Sequence, residues 1–137
     1  MRWIFAFFLF ASAYAEDFAF KGTHFIASYS ECDDTALRDV KALTIAMEKA
    51  VQACGAQILD SSCYIFPPDG MTMVFLLSES HASIHTYPEH KACFVDLFTC
   101  GDHCSFEKFD AALQEYLQPK VVNQKIMDRH QGIDVIQ

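Results

Sequence analysis

The sequence is poor in tryptophan, proline and glycine, with one, four and five of them in 137 residues. That scarcity excludes collagen-like repeats and Pro/Gly-rich disorder. Positive charge is also short. Ten Lys and Arg stand against eighteen Asp and Glu, a net charge of −8, so a broad nucleic-acid surface or anionic-membrane patch is excluded and a small cationic or zwitterionic partner fits better. No apolar run reaches the roughly 18 to 20 residues that span a bilayer. What remains is 52% apolar and 20% charged, the balance of one packed domain.

The N-terminus reads as a targeting segment rather than as part of the fold. Arg2 precedes an apolar run from Trp3 to Phe10, and Ala13 and Ala15 stand as the small residues a signal peptidase requires. Cleavage is expected between Ala15 and Glu16, giving residues 1–15 as signal peptide, 16–137 as the mature domain, and an exported, membrane-free product. Export makes disulfides plausible for the six cysteines, Cys32, Cys54, Cys63, Cys93, Cys100 and Cys104, with fifteen complete pairings open. Free cysteine is also a common core residue, and Cys54, Cys63 and Cys93 fall where a helix end or strand would bury them.

From residue 18 the pattern predicts a strand to Tyr29, then Asp33 or Asp34 as a helix cap. Leu37, Val40, Leu43, Ala46, Met47, Ala50 and Val51 recur at three and four, one face of a helix that Gly55 ends. Residues 56–66 and 71–77 read as a hairpin about Pro67, Pro68, Asp69 and Gly70, with short strands at 82–86 and 92–98. Ser105 caps a second helix that Pro119 stops, and Val121 to Met127 closes the chain as a strand. Two helices cannot cover both faces of such a sheet. The economical fold is α+β, a two-layer sandwich of a mainly antiparallel sheet with two helices on one face.

Nucleophiles and bases crowd between residues 78 and 104: Ser78, Glu79, Ser80, His81, Ser83, His85, Thr86, Tyr87, Glu89, then Asp96, Thr99, Cys100, Gly101, Asp102, His103 and Cys104. A zinc site from Cys100, His103 and Cys104 with His81 or His85 is one reading, but the paired spacing of a zinc ribbon occurs only once, so no metal is assigned. A Cys100–His85 hydrolase pair is a second, and satisfied polar residues in a strand-rich core a third.

The fourth is a resemblance. The run Glu79-Ser80-His81, with His85-Thr86 and Pro88-Glu89, followed at a matching distance by Thr99-Cys100-Gly101, is similar to the small prokaryotic form of S-adenosylmethionine decarboxylase. Gly22, His24, Cys32, Asp33, Gly55, Ser61, Ser62, Phe66 and Gly70 extend the similarity over most of residues 21–128. The resemblance implies a proenzyme that cuts itself between Glu79 and Ser80, Ser80 becoming a pyruvoyl group that forms a Schiff base with the substrate amine. It assigns His85 to removal of the serine α-proton, Thr72 to assistance in the acyl shift, and Cys100 to return of a proton to the substrate. Phe66 and Tyr87 are the implied adenine-stacking residues and Glu89 the implied ribose-side carboxylate. S-adenosylmethionine is the implied substrate, its product feeding spermidine synthesis, and the implied assembly is a homodimer of processed protomers. Ser28, Ser30, Glu31, Cys63, Tyr64 and Tyr87 depart from the family pattern near the substrate pocket. They keep two alternatives in view: a pyruvoyl decarboxylase of ornithine or arginine, and a non-catalytic homologue. If Cys100 is the proton donor it must stay out of any disulfide, with Cys104 its dangerous neighbour.

Overall fold

The computed structural model describes residues 19–137; the expected signal segment, 1–15, lies outside them. Seven strands form one antiparallel sheet in the order β2-β3-β4-β5-β1-β6-β7. In chain order they are β1 (Gly22–Ser30), β2 (Ile58–Phe66), β3 (Gly70–Leu77), β4 (Ser80–Tyr87), β5 (Ala92–Thr99), β6 (Val121–Arg129) and β7 (Ile133–Val135). Among the described residues three helices, α1 (Asp34–Arg38), α2 (Val40–Cys54) and α3 (Phe106–Leu117), accompany the sheet, with one 3-10 turn at Pro88–His90.

Alternation sets which sheet face is covered. Phe25, Ala27 and Tyr29 of β1, Met71, Met73, Phe75 and Leu77 of β3, Ala82 and Ile84 of β4, and Cys93, Val95 and Leu97 of β5 are buried in one core with Leu43, Met47, Val51, Phe109 and Leu113 of the helices. Among the described residues no layer covers the opposite rows of the same strands. Val74, Leu76, Tyr87 and Phe94 are between 40% and 54% exposed there. The α+β sandwich with helices on one face therefore stands, with three corrections.

The helix expected as one piece is two. Asp33 caps α1 by accepting from the Ala36 amide at 2.8 Å, and Asp39 then caps α2 by accepting from Ala42 at 2.9 Å while its own amide donates to Thr35. A second Asx cap inside the apolar repeat restarts the helix without breaking the buried stripe. Cys63 is exposed, because β2 is the outer strand and reaches past the helices. β6 runs on to Arg129 and turns into β7, a short addition at the far edge that residues 128–137 did not signal. Gly55, at φ 98°, ends α2 as expected: its left-handed backbone lets its amide reach the Val51 and Gln52 carbonyls. No helix among the described residues is long and apolar enough to cross a membrane.

Candidate active site

β4 is an interior strand of the sheet, between β3 and β5, so both of its ends are framed by neighbouring strands. At its start, Leu77 pairs with Ser80 across a turn of Ser78 and Glu79, and Ser80 pairs with Thr99 on the other side. The peptide bond expected to be cut thus lies at the exit of a tight hairpin turn. The Glu79 carbonyl accepts the Cys100 amide hydrogen at 3.3 Å. That donor polarises the carbonyl next to the Ser80 hydroxyl and stands where negative charge would grow on the oxygen if the hydroxyl added. The loop leaves no spare room: a Cβ on Gly101 would lie 2.0 Å from Glu79 Oε2. His103 Nε2 is 3.8 Å from the same carboxylate, and Lys21 pairs with Asp102 at 3.1 Å. Glu79 and Cys100 open into a cleft of about 730 Å³ whose wall includes Phe98. The Arg129 guanidinium sits 4.5 Å above the Phe98 ring.

The other expected residues gather at the far end of the same strand. Thr72 and His85 are paired positions of β3 and β4, and Thr72 Oγ1 meets His85 Nδ1 at 2.9 Å. With Phe66, Tyr87 and Glu89 they line a second cleft, of about 440 Å³. Phe66 packs edge-on against Tyr64 at 4.8 Å, and Tyr87 against Phe94 at 5.6 Å, so each keeps much of its ring open to the cleft. Glu89 sits in the 3-10 turn directly after β4, close to Tyr87 in sequence and in space.

The expected residues therefore form two groups. The five steps of extended chain from Ser80 to His85 span about 17 Å, and the odd number turns the two side chains to opposite faces. The same geometry removes the Cys100–His85 hydrolase pair, because His85 lies opposite Phe94 while Cys100 follows Thr99 at the other end of β5. It also removes the zinc reading. Among the described residues, the group whose ligand atoms converge within 4.8 Å is His24, His81 and Asp96, with no cysteine in it.

That trio lies on the uncovered face, and only the crowded motif hinted at it. Asp96 accepts from Ser83 Oγ at 2.7 Å and stands 3.5 Å from His24 Nε2 and 3.8 Å from His81 Nε2. Burial pushes the Asp96 carboxyl up, but the nearby His24 imidazole and the hydrogen bond from Ser83 outweigh this and hold it below the usual range. His24 Nε2 is buried without a hydrogen-bond partner, and Phe98 meets both imidazoles at 5.6 Å. The cluster braces the centre of the sheet between the two ends of β4.

Comparison with known proteins agrees with the fold. The family signature described as S-adenosylmethionine decarboxylase matches residues 23–130. An S-adenosylmethionine decarboxylase proenzyme of Methanococcus maripaludis strain C5 is 38% identical over 112 residues, covering 82% of this chain and 90% of that protein. One from Fervidobacterium nodosum is 45% identical over 82 residues, 60% of each chain. The crystal structure of the adenosylmethionine decarboxylase from Aquifex aeolicus superposes with a TM-score of 0.72 at 31% identity, covering 79% of this chain and 89% of that one. A Trypanosoma brucei structure, at 11% identity and TM-score 0.54, shares the fold over 77% of this chain and 45% of its own length.

Proposed function

The chain belongs to the S-adenosylmethionine decarboxylase family, and from that premise we propose that it cuts itself between Glu79 and Ser80 and decarboxylates S-adenosylmethionine, the step that prepares an aminopropyl donor for spermidine synthesis. One observation carries the reading: the Glu79 carbonyl, held by the Cys100 amide, adjoins the Ser80 hydroxyl at the exit of a two-residue turn. Enforced proximity gives such an intramolecular attack a large effective concentration. The hydroxyl oxygen bonds to the Glu79 carbonyl carbon, and the C–N bond breaks to leave an ester with a free amine on Ser80. A base must then take the Ser80 α-proton, which expels the Glu79 carboxylate, ends the first chain at residue 79 and leaves a dehydroalanine, whose imine tautomer adds water and loses ammonia to give the pyruvoyl carbonyl.

His85 is suited to that base role, oriented by Thr72 through its Nδ1, so that Nε2 is left to move the proton. The pyruvoyl group made from Ser80 supplies an electrophilic carbonyl that accepts the electron pair released with carbon dioxide. The exposure of Cys100 at the Ser80 end supports its part in returning a proton to the substrate. Phe66 and Tyr87 offer flat faces to an adenine, and Glu89 offers a carboxylate to ribose hydroxyls.

Within one protomer the two groups stay about 17 Å apart. A homodimer resolves this: a second copy laid antiparallel over the uncovered face sets the Ser80 end of one against the His85 end of the other. The exposed apolar row of Val74, Leu76, Tyr87 and Phe94 gives that contact its driving force. Arg2, the apolar run after it and the Ala13/Ala15 spacing support export, with removal of residues 1–15.

The test is intact mass under denaturing, reducing conditions for the wild type and Ser80→Ala, followed by carbon dioxide release from S-adenosylmethionine, ornithine and arginine. Two chains meeting at 79/80, absent in the variant, with turnover confined to S-adenosylmethionine, support the proposal. A folded but uncut wild-type chain overturns it.

A further inference from the structure

The mechanism uses one of the six cysteines, and four of the others stand in two pairs. Cys54 is the last residue of α2, and Cys104 lies in the loop that links Cys100 to α3. Their Sγ atoms are 2.8 Å apart, within about 1 Å of the length of an S–S bond. The backbone already ties the two segments, since the Ser105 amide donates to the Cys54 carbonyl at 2.9 Å. Cys32 follows β1, and its amide donates to Lys91 at 3.0 Å, directly before β5. Cys93, in β5, lies opposite Tyr29 of β1, Cys32 and Cys93 are both buried in the one core, and the neighbouring Cys32 thiol together with burial pushes the Cys93 thiol up. Cys63 and Cys100 are the two exposed cysteines. Cys63 sits on the outer strand opposite Met73, and Cys100 faces the Ser80 end of β4.

We propose that in an oxidising compartment Cys32–Cys93 and Cys54–Cys104 become two disulfides, leaving Cys63 and Cys100 as thiols. The oxidant is a low-molecular-weight disulfide or a disulfide-exchanging oxidoreductase. One cysteine thiolate attacks a sulfur of the oxidant and releases its partner thiol; the second cysteine then attacks the mixed disulfide and releases the other. Two protein thiols are oxidised to one disulfide, and the oxidant is reduced to two thiols. The Cys54 thiol is fit to begin, because the hydrogen bond with Cys104 brings it down to about 7 against the upward push of burial.

The pairing has a consequence that rests on the self-cleavage proposed above. Cys32 and Cys54 precede the cut and Cys93 and Cys104 follow it, so each bond joins residues 16–79 to residues 80–137. Without them the two chains hold together by the β3–β4, β1–β5 and β1–β6 ladders and the core alone. The Cys54–Cys104 bond also fixes the loop that carries Cys100 and occupies the neighbour with which Cys100 would otherwise mispair. Family chemistry is thereby fitted to a compartment in which thiols do not stay reduced.

The test uses the full chain, exported or treated with oxidised glutathione, denatured in N-ethylmaleimide without reductant. The expected free-thiol count falls from six to two, mapped to Cys63 and Cys100. On denaturing gels the cut protein runs as one species without reductant and as two with it. Cys32→Ser alone keeps the chains joined through Cys54–Cys104, whereas the Cys32→Ser/Cys54→Ser double variant releases them without reductant. Six free thiols in the oxidised wild type, or Cys100 found in a disulfide peptide, overturns the proposal. The uncut Ser80→Ala chain is expected to show the same two thiols, so a failure of self-cleavage and a failure of pairing are read separately.

Discussion

At its Ser80 end β4 leaves a tight turn whose carbonyl is held by a backbone amide, beside a cleft walled by Phe98 under Arg129. At its His85 end it carries an imidazole held by a neighbouring threonine, beside a cleft lined by exposed aromatic rings. In the proposed function the first end is cut and carries the reacting group, and the second moves a proton and seats a flat ligand. One strand supplies both, yet its own length keeps them apart. The uncovered sheet face is thus more than an unfinished layer. In the proposed homodimer it is the surface across which the two ends of different copies meet, and an antiparallel approach is the arrangement that would join unlike ends.

The sharpest way to break that comparison is to keep both ends intact and prevent their meeting. Phe94 is 54% exposed on the uncovered face, so Phe94→Lys is expected to leave the fold unchanged by circular dichroism. It should convert the protein to a monomer in sedimentation and abolish both cleavage and turnover, because a buried unpaired charge is strongly disfavoured in such an interface. Next in size, Thr72→Val removes the bond to His85 Nδ1 and should slow cleavage about tenfold, with Thr72→Ser restoring most of it. At the opposite end, Gly101→Ala crowds the Glu79 carboxylate, which swings aside at small cost; cleavage should slow by about threefold in a time course, with the dimer intact.

The smallest effect is expected between the ends. The Asp96 carboxyl is held low in the fold, so its contribution to stability is fully present above the unfolded value of about 3.9 and is lost as pH falls through the lower folded value. Asp96→Asn should flatten the acid limb of a stability-against-pH curve and leave the neutral limb parallel to that of the wild type.

Much of this was readable from the sequence because local patterns have local causes. The Leu37 to Val51 repeat marked the face that α2 buries, and Gly55 and Ser105 marked helix ends, since caps and periodicity act within a few residues. The Asp39 restart was hidden because the apolar repeat continues across it. Cys63 misled for a different reason: its strand is apolar enough for a core, and only the sheet order, a long-range fact, places it on the outside. The same limit governs the site. Glu79, Ser80, His85 and Cys100 could be picked out by their spacing, but a motif compact in sequence reads as compact in space, and an extended strand makes it the reverse. The thiol pairs were invisible for want of any local signal, Cys54 and Cys104 being brought together by the packing of α2 against the loop before α3.

The most direct test of the shared site is co-expression of His85→Ala with Cys100→Ala, each differently tagged, read by intact mass under reducing conditions and by turnover. In a mixed dimer one site pairs the intact Ser80 end of the His85→Ala chain with the intact His85 of its companion, so the account predicts that the His85→Ala chain is cut only when the companion is present. Random pairing should then restore roughly a quarter of wild-type turnover, from half the dimers with one good site each. A His85→Ala chain that stays whole in confirmed mixed dimers, with no turnover recovered, would contradict a site made by two copies.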